Sequence, residues 1–191
     1  MCVARSGSSL TTSIFGAHGL WIGRQVPKAD YPVYENEDIK NHLRTMVNRR
    51  KNPAGFRVLK DSITREQVRE GIENIVPDNT PWVFKQGVDW WRVWDGLYEG
   101  TKFVFVMRHP KSVAQSTHKR TGRPYRRVLE VTAMYYEIMQ NLSRLHGIPI
   151  VKTDEIVTGN FSSLEVAMRH CGLEFHPEAA RKMIDRKRWH H

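Results

Sequence analysis

The chain has 191 residues, 40% of them hydrophobic, with a net charge of +10 and a mean hydropathy of −0.54. That length supports one domain with a sizeable core, and no stretch approaches the roughly 20 apolar residues of a membrane span. Cys2 and Cys171 lie far apart without a partner motif, which argues against a disulfide framework or a zinc site, and the charge points to a polyanionic partner: nucleic acid, phosphorylated nucleotide, acidic glycan or acidic protein.

In chain order, Cys2 to Ala4 reads as the end of a very short strand. Arg5-Ser6-Gly7-Ser8-Ser9 follows, and Leu10 to Ala17 continues as a helix that His18-Gly19 ends. Leu20 to Gly23 reads as a second short strand, and Gln25 to Tyr34, with two prolines, as a loop. From Asn36, the spacing of Ile39, Leu43, Met46 and Val47 predicts a helix with acidic residues in its first turn. Asn48 to Gly55 is a polar, basic connection. Thr64 to Ile75 is predicted to be a surface helix, with Thr64 and Gln67 at capping-box spacing. Pro77 to Thr80 is a turn, Trp82 to Lys85 a strand, and the aromatic-rich Asp89 to Tyr98 a short helix. Trp82, Trp90, Trp91 and Trp94 are assigned to the core, although such rings could also stack an adenine.

Phe103 to Met107 is an uninterrupted apolar run, the pattern of a strand buried on both faces of a parallel sheet. Arg108 ends it, and Pro110 suits the first turn of the next helix, which carries Ser112 and Ser116. Arg120 to Arg127 is expected to be a basic loop. Val128 to Leu145 is the longest helical pattern, closed by Gly147, and Ile148 to Val151 is another short buried strand. Ser162 to Cys171 is predicted to be a helix with a Ser162–Glu165 capping box, and Pro177 to Ile184 a last helix before the basic end Arg186-Lys187-Arg188. Alternating strands and helices imply right-handed crossovers and a single α/β domain over residues 1–191, with a central, mostly parallel sheet flanked by helices. The opening residues have no apolar signal-peptide core, so the expected location is the cytoplasm.

Two segments carry chemistry. Between a strand and a helix, Arg5-Ser6-Gly7-Ser8-Ser9 can turn backbone N–H groups toward an anion, helped by the helix dipole and the Arg5 charge. Alone, it reads more readily as a Ser/Gly-rich tail. It is not a Walker A loop, which needs a glycine-spaced Gly-Lys-Ser/Thr ending, and this disfavours a P-loop phosphotransferase. Arg108 stands at the carboxyl end of a buried strand, where ligands bind in open α/β sheets. By itself it reads equally as an anion site or as an arginine that caps a strand.

Together, R-S-G-S-S after a first strand and an arginine followed eight residues later by a serine resemble the sulfotransferase family, whose fold is P-loop NTPase-like. Tyr34-Glu35-Asn36-Glu37-Asp38-Ile39, Val151 to Val157, Cys171 to Phe175 and Met183-Ile184-Asp185 are similar to segments of the bacterial and carbohydrate- or protein-directed branches, so the resemblance covers nearly the whole chain. It implies 3′-phosphoadenosine 5′-phosphosulfate (PAPS) as donor and no metal. Arg5, Ser6, Gly7, Ser8 and Ser9 would hold the 5′-phosphosulfate. Arg108 and Ser116 would hold the 3′-phosphate, with Arg188 of the basic tail closing over it. Lys85 aligns with the family's strand-end lysine, and with Arg5 would stabilise charge on the departing phosphate. The small-molecule branch has a histidine base two residues after that lysine; here the position is Gly87. Glu35 is the expected base instead, ahead of His18 and His118. The acceptor would be a hydroxyl or amine on a small molecule, glycan or peptide, with no membrane involved. The rival reading is a non-catalytic basic module for nucleic acid or an acidic partner.

Overall fold

The computed structural model describes residues 1–23, 26–28, 31–33, 36–48, 50, 52 and 54–184. Its helices are α1 (Ser8–Ala17), α2 (Glu37–Met46), α3 (Arg65–Glu73), α4 (Trp91–Trp94), α5 (Pro110–Thr121), α6 (Tyr125–His146), α7 (Thr153–Val157), α8 (Ser162–His170) and α9 (Pro177–Met183). Its strands are β1 (Val26–Lys28), β2 (Tyr31–Val33), β3 (Phe105–Met107) and β4 (Ile150–Lys152). The architecture is α/β and mostly helical.

The regular parallel sheet is smaller than expected. β3 and β4 pair in parallel, with Val106 opposite Val151. Three further segments join through single parallel bridges: Cys2 to Val106 on one side and to Gly87 on the other, and Trp21 to Trp82. The expected strands at Cys2 to Ala4, Leu20 to Gly23 and Trp82 to Lys85 are thus reduced to one bridging residue each. Backbone conformation explains why. Arg5 has φ 68° and turns the chain out of line just after Ala4. Gly19 and Gly23, at φ 91° and 81°, bend the chain on both sides of Trp21, leaving Trp82 a partner one residue long.

Other boundaries also moved. Gln25 to Tyr34, expected to be a loop, contains the antiparallel pair β1–β2, with Pro27 opposite Pro32. Facing prolines are tolerated at a position whose N–H groups would point away from the partner. The expected basic loop at Arg120 to Arg127 shrinks to the three-residue connection between α5 and α6. Gly122 stops α5 in the left-handed region at φ 70°, and α6 starts immediately after Pro124. The Thr64–Gln67 capping box forms. The Ser162–Glu165 box does not: Phe161 occupies the cap position of α8 and Asn160 Oδ1 accepts from the Ser162 N–H at 3.1 Å. The asparagine side chain accepts from the N–H that the Glu165 carboxylate would have held in a capping box.

Apolar packing forms three buried groups. Leu10, Ile14, Val106, Val151, Leu164 and Met168 join α1, β3, β4 and α8. Ile39, Leu43, Val68, Ile72, Trp90 and Trp94 join α2, α3 and the aromatic segment. Phe105, Val113, Tyr136, Met139 and Trp91 lie where α5 and α6 cover β3. Trp90, Trp91 and Trp94 are therefore core residues, at 8%, 4% and 5% exposure, and do not form an open stacking platform. Trp82 is half-buried against the second group.

Candidate functional site

The Arg5–Ser9 segment is a built turn, which rules out the alternative of a loose tail. Arg5 and Gly7 both take positive φ, at 68° and 85°. Gly7 is required by space as well as by conformation: a Cβ there would lie 2.7 Å from Thr153 Cγ2. Thr153, the first residue of α7, sends its hydroxyl toward the carbonyl oxygens of Ser6 at 2.8 Å and Met107 at 3.2 Å, tying the loop to the ends of β3 and β4. Ser6 and Ser8 are buried. Ser6 Oγ is buried without a hydrogen-bond partner among the described residues.

The loop leads straight into α1. The first intrahelical bond runs from the Thr11 N–H to the Gly7 carbonyl at 3.2 Å, so the preceding amides of the first turn are those that a helix leaves without an internal partner. No side chain caps this end and no acidic residue occupies its first turn. A helix end of this kind presents N–H donors and the positive end of the dipole. Cations sit around it. Lys85 Nζ donates to Ser9 Oγ at 2.9 Å, and Arg5 Nε donates to Ser116 Oγ at 3.0 Å. Ser116 is 4% exposed on the inner face of α5.

Arg108 follows β3 directly. Its Nε donates to Asp154 Oδ1 at 3.2 Å, its backbone N–H donates to Tyr136 Oη at 3.0 Å, and the His109 N–H donates to Asp154 Oδ2 at 2.6 Å. One carboxylate thereby fixes both the guanidinium and the start of α5. Burial, opposed by the bond from Arg108 and reinforced by the Asp154 charge, pushes the Tyr136 hydroxyl up to about 12, so at neutral pH it keeps its proton and accepts as a neutral phenol.

The structure therefore brings Arg5, Ser6, Gly7, Ser8, Ser9, Lys85 and Ser116 together, with Arg108 at the end of the adjoining strand. Glu35 and Arg188, the expected base and tail cation, lie outside the described residues. Glu37 and Asp38 occupy the first turn of α2, capped by Asn36. His18 caps the end of α1 and bonds the Ile14 carbonyl at 2.7 Å. His118 is exposed and bonds the Arg123 carbonyl at 2.7 Å. Thr153, Asp154 and Tyr136 had no assigned role from sequence, although Thr153 and Asp154 fall inside the Val151 to Val157 segment that resembled the family.

Two cavities adjoin Gln86. The larger, of about 510 Å³, runs behind α1 along Thr11, Thr12 and Phe15 toward Trp82 and Tyr98, and is largely apolar. The smaller, of about 290 Å³, is lined by Lys40, Arg44, Val47, Asn48, Arg57, Gln86 and Trp90. Lys85 lines the first, whereas the second gathers three basic side chains, Lys40, Arg44 and Arg57. Among the described residues no cluster of His, Cys, Asp and Glu suits a metal ion, and no helix is long and apolar enough to cross a membrane.

Set against known proteins, the chain matches no family model, no curated protein and no solved structure.

Proposed function

We propose that the chain is a PAPS-dependent sulfotransferase that moves a sulfuryl group to a hydroxyl or amine acceptor. The observation that carries this reading is the Arg5 Nε–Ser116 Oγ bond of 3.0 Å, which unites two anion-binding segments that are 111 residues apart in sequence. A nucleotide bearing phosphate at both its 3′ and 5′ positions is the ligand that needs two such grips at once.

The order of pairing adds support. Cys2 lies between Gly87 and Val106, so the connection after Cys2 leads toward Trp21 on one side while that after β3 leads to β4 on the other. In an open parallel sheet, the crevice between two such strand ends is the usual ligand position. A central sheet of this kind, P-loop-like in topology, is the finer form of the fold that we propose.

The donor set fits PAPS. The uncapped α1 N-terminus, the Ser6 hydroxyl with no partner among the described residues, Arg5 and Lys85 suit the phosphosulfate end. Arg108 and Ser116 suit the 3′-phosphate, with Arg188 of the basic end as a further contact. PAPS supplies the activated sulfuryl group. Lys85 and Arg5 supply positive charge where the departing phosphate gains negative charge, in an environment that needs no reorganisation at the moment of transfer. Glu35, immediately before the Asn36 cap of α2, takes the acceptor proton.

Calorimetry with adenosine 3′,5′-bisphosphate and with AMP tests the reading. The bisphosphate should bind at least about tenfold more tightly, equivalent to about 1.4 kcal/mol. Equal affinities would remove the 3′-phosphate role of Arg108 and Ser116. Glu35→Gln should keep bisphosphate affinity and lose most turnover; unchanged turnover assigns the base elsewhere.

A non-catalytic basic module is the second reading. It is favoured by the exposed cations Lys119, Arg120, Arg123, Arg126 and Arg127 around the α5–α6 junction. Binding through them would fall steeply with salt and ignore the 3′-phosphate.

A further inference from the structure

Exposed apolar side chains gather on α6. One side of this helix is buried through Thr132, Tyr136 and Met139, the last two packed in the group that covers β3. Its outer side carries Val131, Met134 and Leu145, which are 42%, 45% and 76% exposed. The half-buried Ile138 lies between Met134 and Leu145. These four residues follow one another at steps of three, four and seven, which sets them in one line along a helix. From Val131 to Leu145 the line is about 21 Å long, at 1.5 Å per residue. A lone exposed apolar residue is ordinary, but a continuous line of them marks a surface that meets another apolar surface.

Charge orders the edge of this line. Glu130, Glu137 and Arg144 recur at seven-residue steps along one side of it. Glu130 pairs with Arg126 at 3.2 Å, and both side chains are well exposed, so the pair is weak and exchanges readily. Arg144 donates to Asn141 Oδ1 at 2.6 Å, which holds its guanidinium beside the line. Arg127 lies on the line itself, one turn before Val131.

We propose that α6 pairs with the α6 of a second copy of this chain, antiparallel, about a two-fold axis at Ile138. In that register Val131 of each copy packs on Leu145 of the other, and the two Ile138 side chains meet. Arg144 of each copy comes between Glu130 and Glu137 of the other. The two Glu137 side chains approach near the axis, each with an Arg144 beside it. Arg127 reaches the carboxyl end of the other α6, where the helix dipole favours a cation. A parallel pair would set Glu130, Glu137 and Arg144 each against its own copy. It would also bring together the two basic α5–α6 junctions, with Lys119, Arg120, Arg123, Arg126 and Arg127 on each. The antiparallel pair keeps those junctions at opposite ends, which matters for a chain of net charge +10. A surface that complements itself in this way fits a symmetric dimer. The pairing does not depend on what the chain catalyses.

Sedimentation equilibrium of the full chain, from about 1 to about 500 µM, brackets the affinity of a small interface. A monomer–dimer equilibrium should appear in that range. Met134→Glu should raise the dimer dissociation constant at least about tenfold. Val166→Glu, the same kind of change at an exposed apolar site on α8, should leave it unchanged. Arg144→Glu should also weaken association, and adding Glu130→Arg should restore most of it, because the exchanged charges meet again only in the antiparallel register. Circular dichroism checks that α6 stays helical in every variant. A monomer at all concentrations, a dimer indifferent to Met134→Glu, or one weakened equally by Val166→Glu overturns the proposal. So does a Glu130→Arg change that fails to rescue Arg144→Glu in a chain whose helix content is unaltered.

Discussion

The two segments that we propose hold the phosphates are built in opposite ways. Residues 5–9 form a backbone cradle: positive φ at Arg5 and Gly7, buried serines, and a helix end with no side-chain cap. The start of α5 is instead organised by side chains, with Asp154 holding Arg108 and the His109 N–H, and Tyr136 holding the Arg108 N–H. A backbone cradle tolerates changes of side-chain charge but no added volume where it turns. A side-chain latch tolerates volume but depends on its charges. Thr153, bonded to the Ser6 and Met107 carbonyls, is the mechanical link between the two.

That contrast breaks most sharply at Gly7. Gly7→Ala combines an unfavourable φ of 85° with a Cβ 2.7 Å from Thr153 Cγ2. It should cost about 1–3 kcal/mol of stability by the usual price of backbone strain, lower the thermal midpoint, and remove anion binding with it. A midpoint and affinity equal to those of the parent chain would show that the turn is not a rigid cradle.

Asp154→Asn tests the latch and should act more gently. The carboxylate is 46% exposed while its Arg108 partner is 9% exposed, so solvent screens part of the interaction and the expected loss is about 1 kcal/mol in a denaturant titration. The larger signature should be functional: discrimination between adenosine 3′,5′-bisphosphate and AMP falls, while AMP affinity is kept. Equal loss for both ligands would mean that the latch and cradle act as one unit.

The smallest effect is at high pH. Burial raises Tyr136 and Tyr98 to about 12 each, with Glu73 adding to the effect at Tyr98. An unfolded tyrosine titrates near 10, so the unfolded chain loses its protons first and stability falls as pH rises from about 10 through about 12. Tyr136→Phe should remove one part of that decline and leave the part due to Tyr98. An unchanged slope would show that Tyr136 is more accessible than its position against Arg108 implies.

Legibility from sequence followed the same division. The strand ending at Met107, the proline-led α5 and the Arg108–Ser116 spacing were readable because each depends on local pattern. The Asn36-led helix and the Thr64–Gln67 cap were readable for the same reason. The Ser162 cap was misread, since an upstream asparagine competed for the same N–H and spacing alone does not rank competitors. The β1–β2 pair was hidden by Pro27 and Pro32, residues that ordinarily mark loops, because only facing positions on a two-stranded ribbon excuse their missing donors.

By itself, the sequence determined which residue types could hold an anion, where α1 would end and α5 begin, and which aromatics belong to the core: local backbone preference and hydrophobic spacing suffice for these. Tertiary structure decided that Arg5 meets Ser116, that Asp154 and Tyr136 orient the Arg108 segment, and that Gly7 has no room for a side chain beside Thr153. Those contacts, with the Thr153–Ser6 bond beside them, join residues that are up to 147 positions apart. They exist only once parallel pairing has brought the strand ends side by side, a long-range arrangement that no local periodicity encodes.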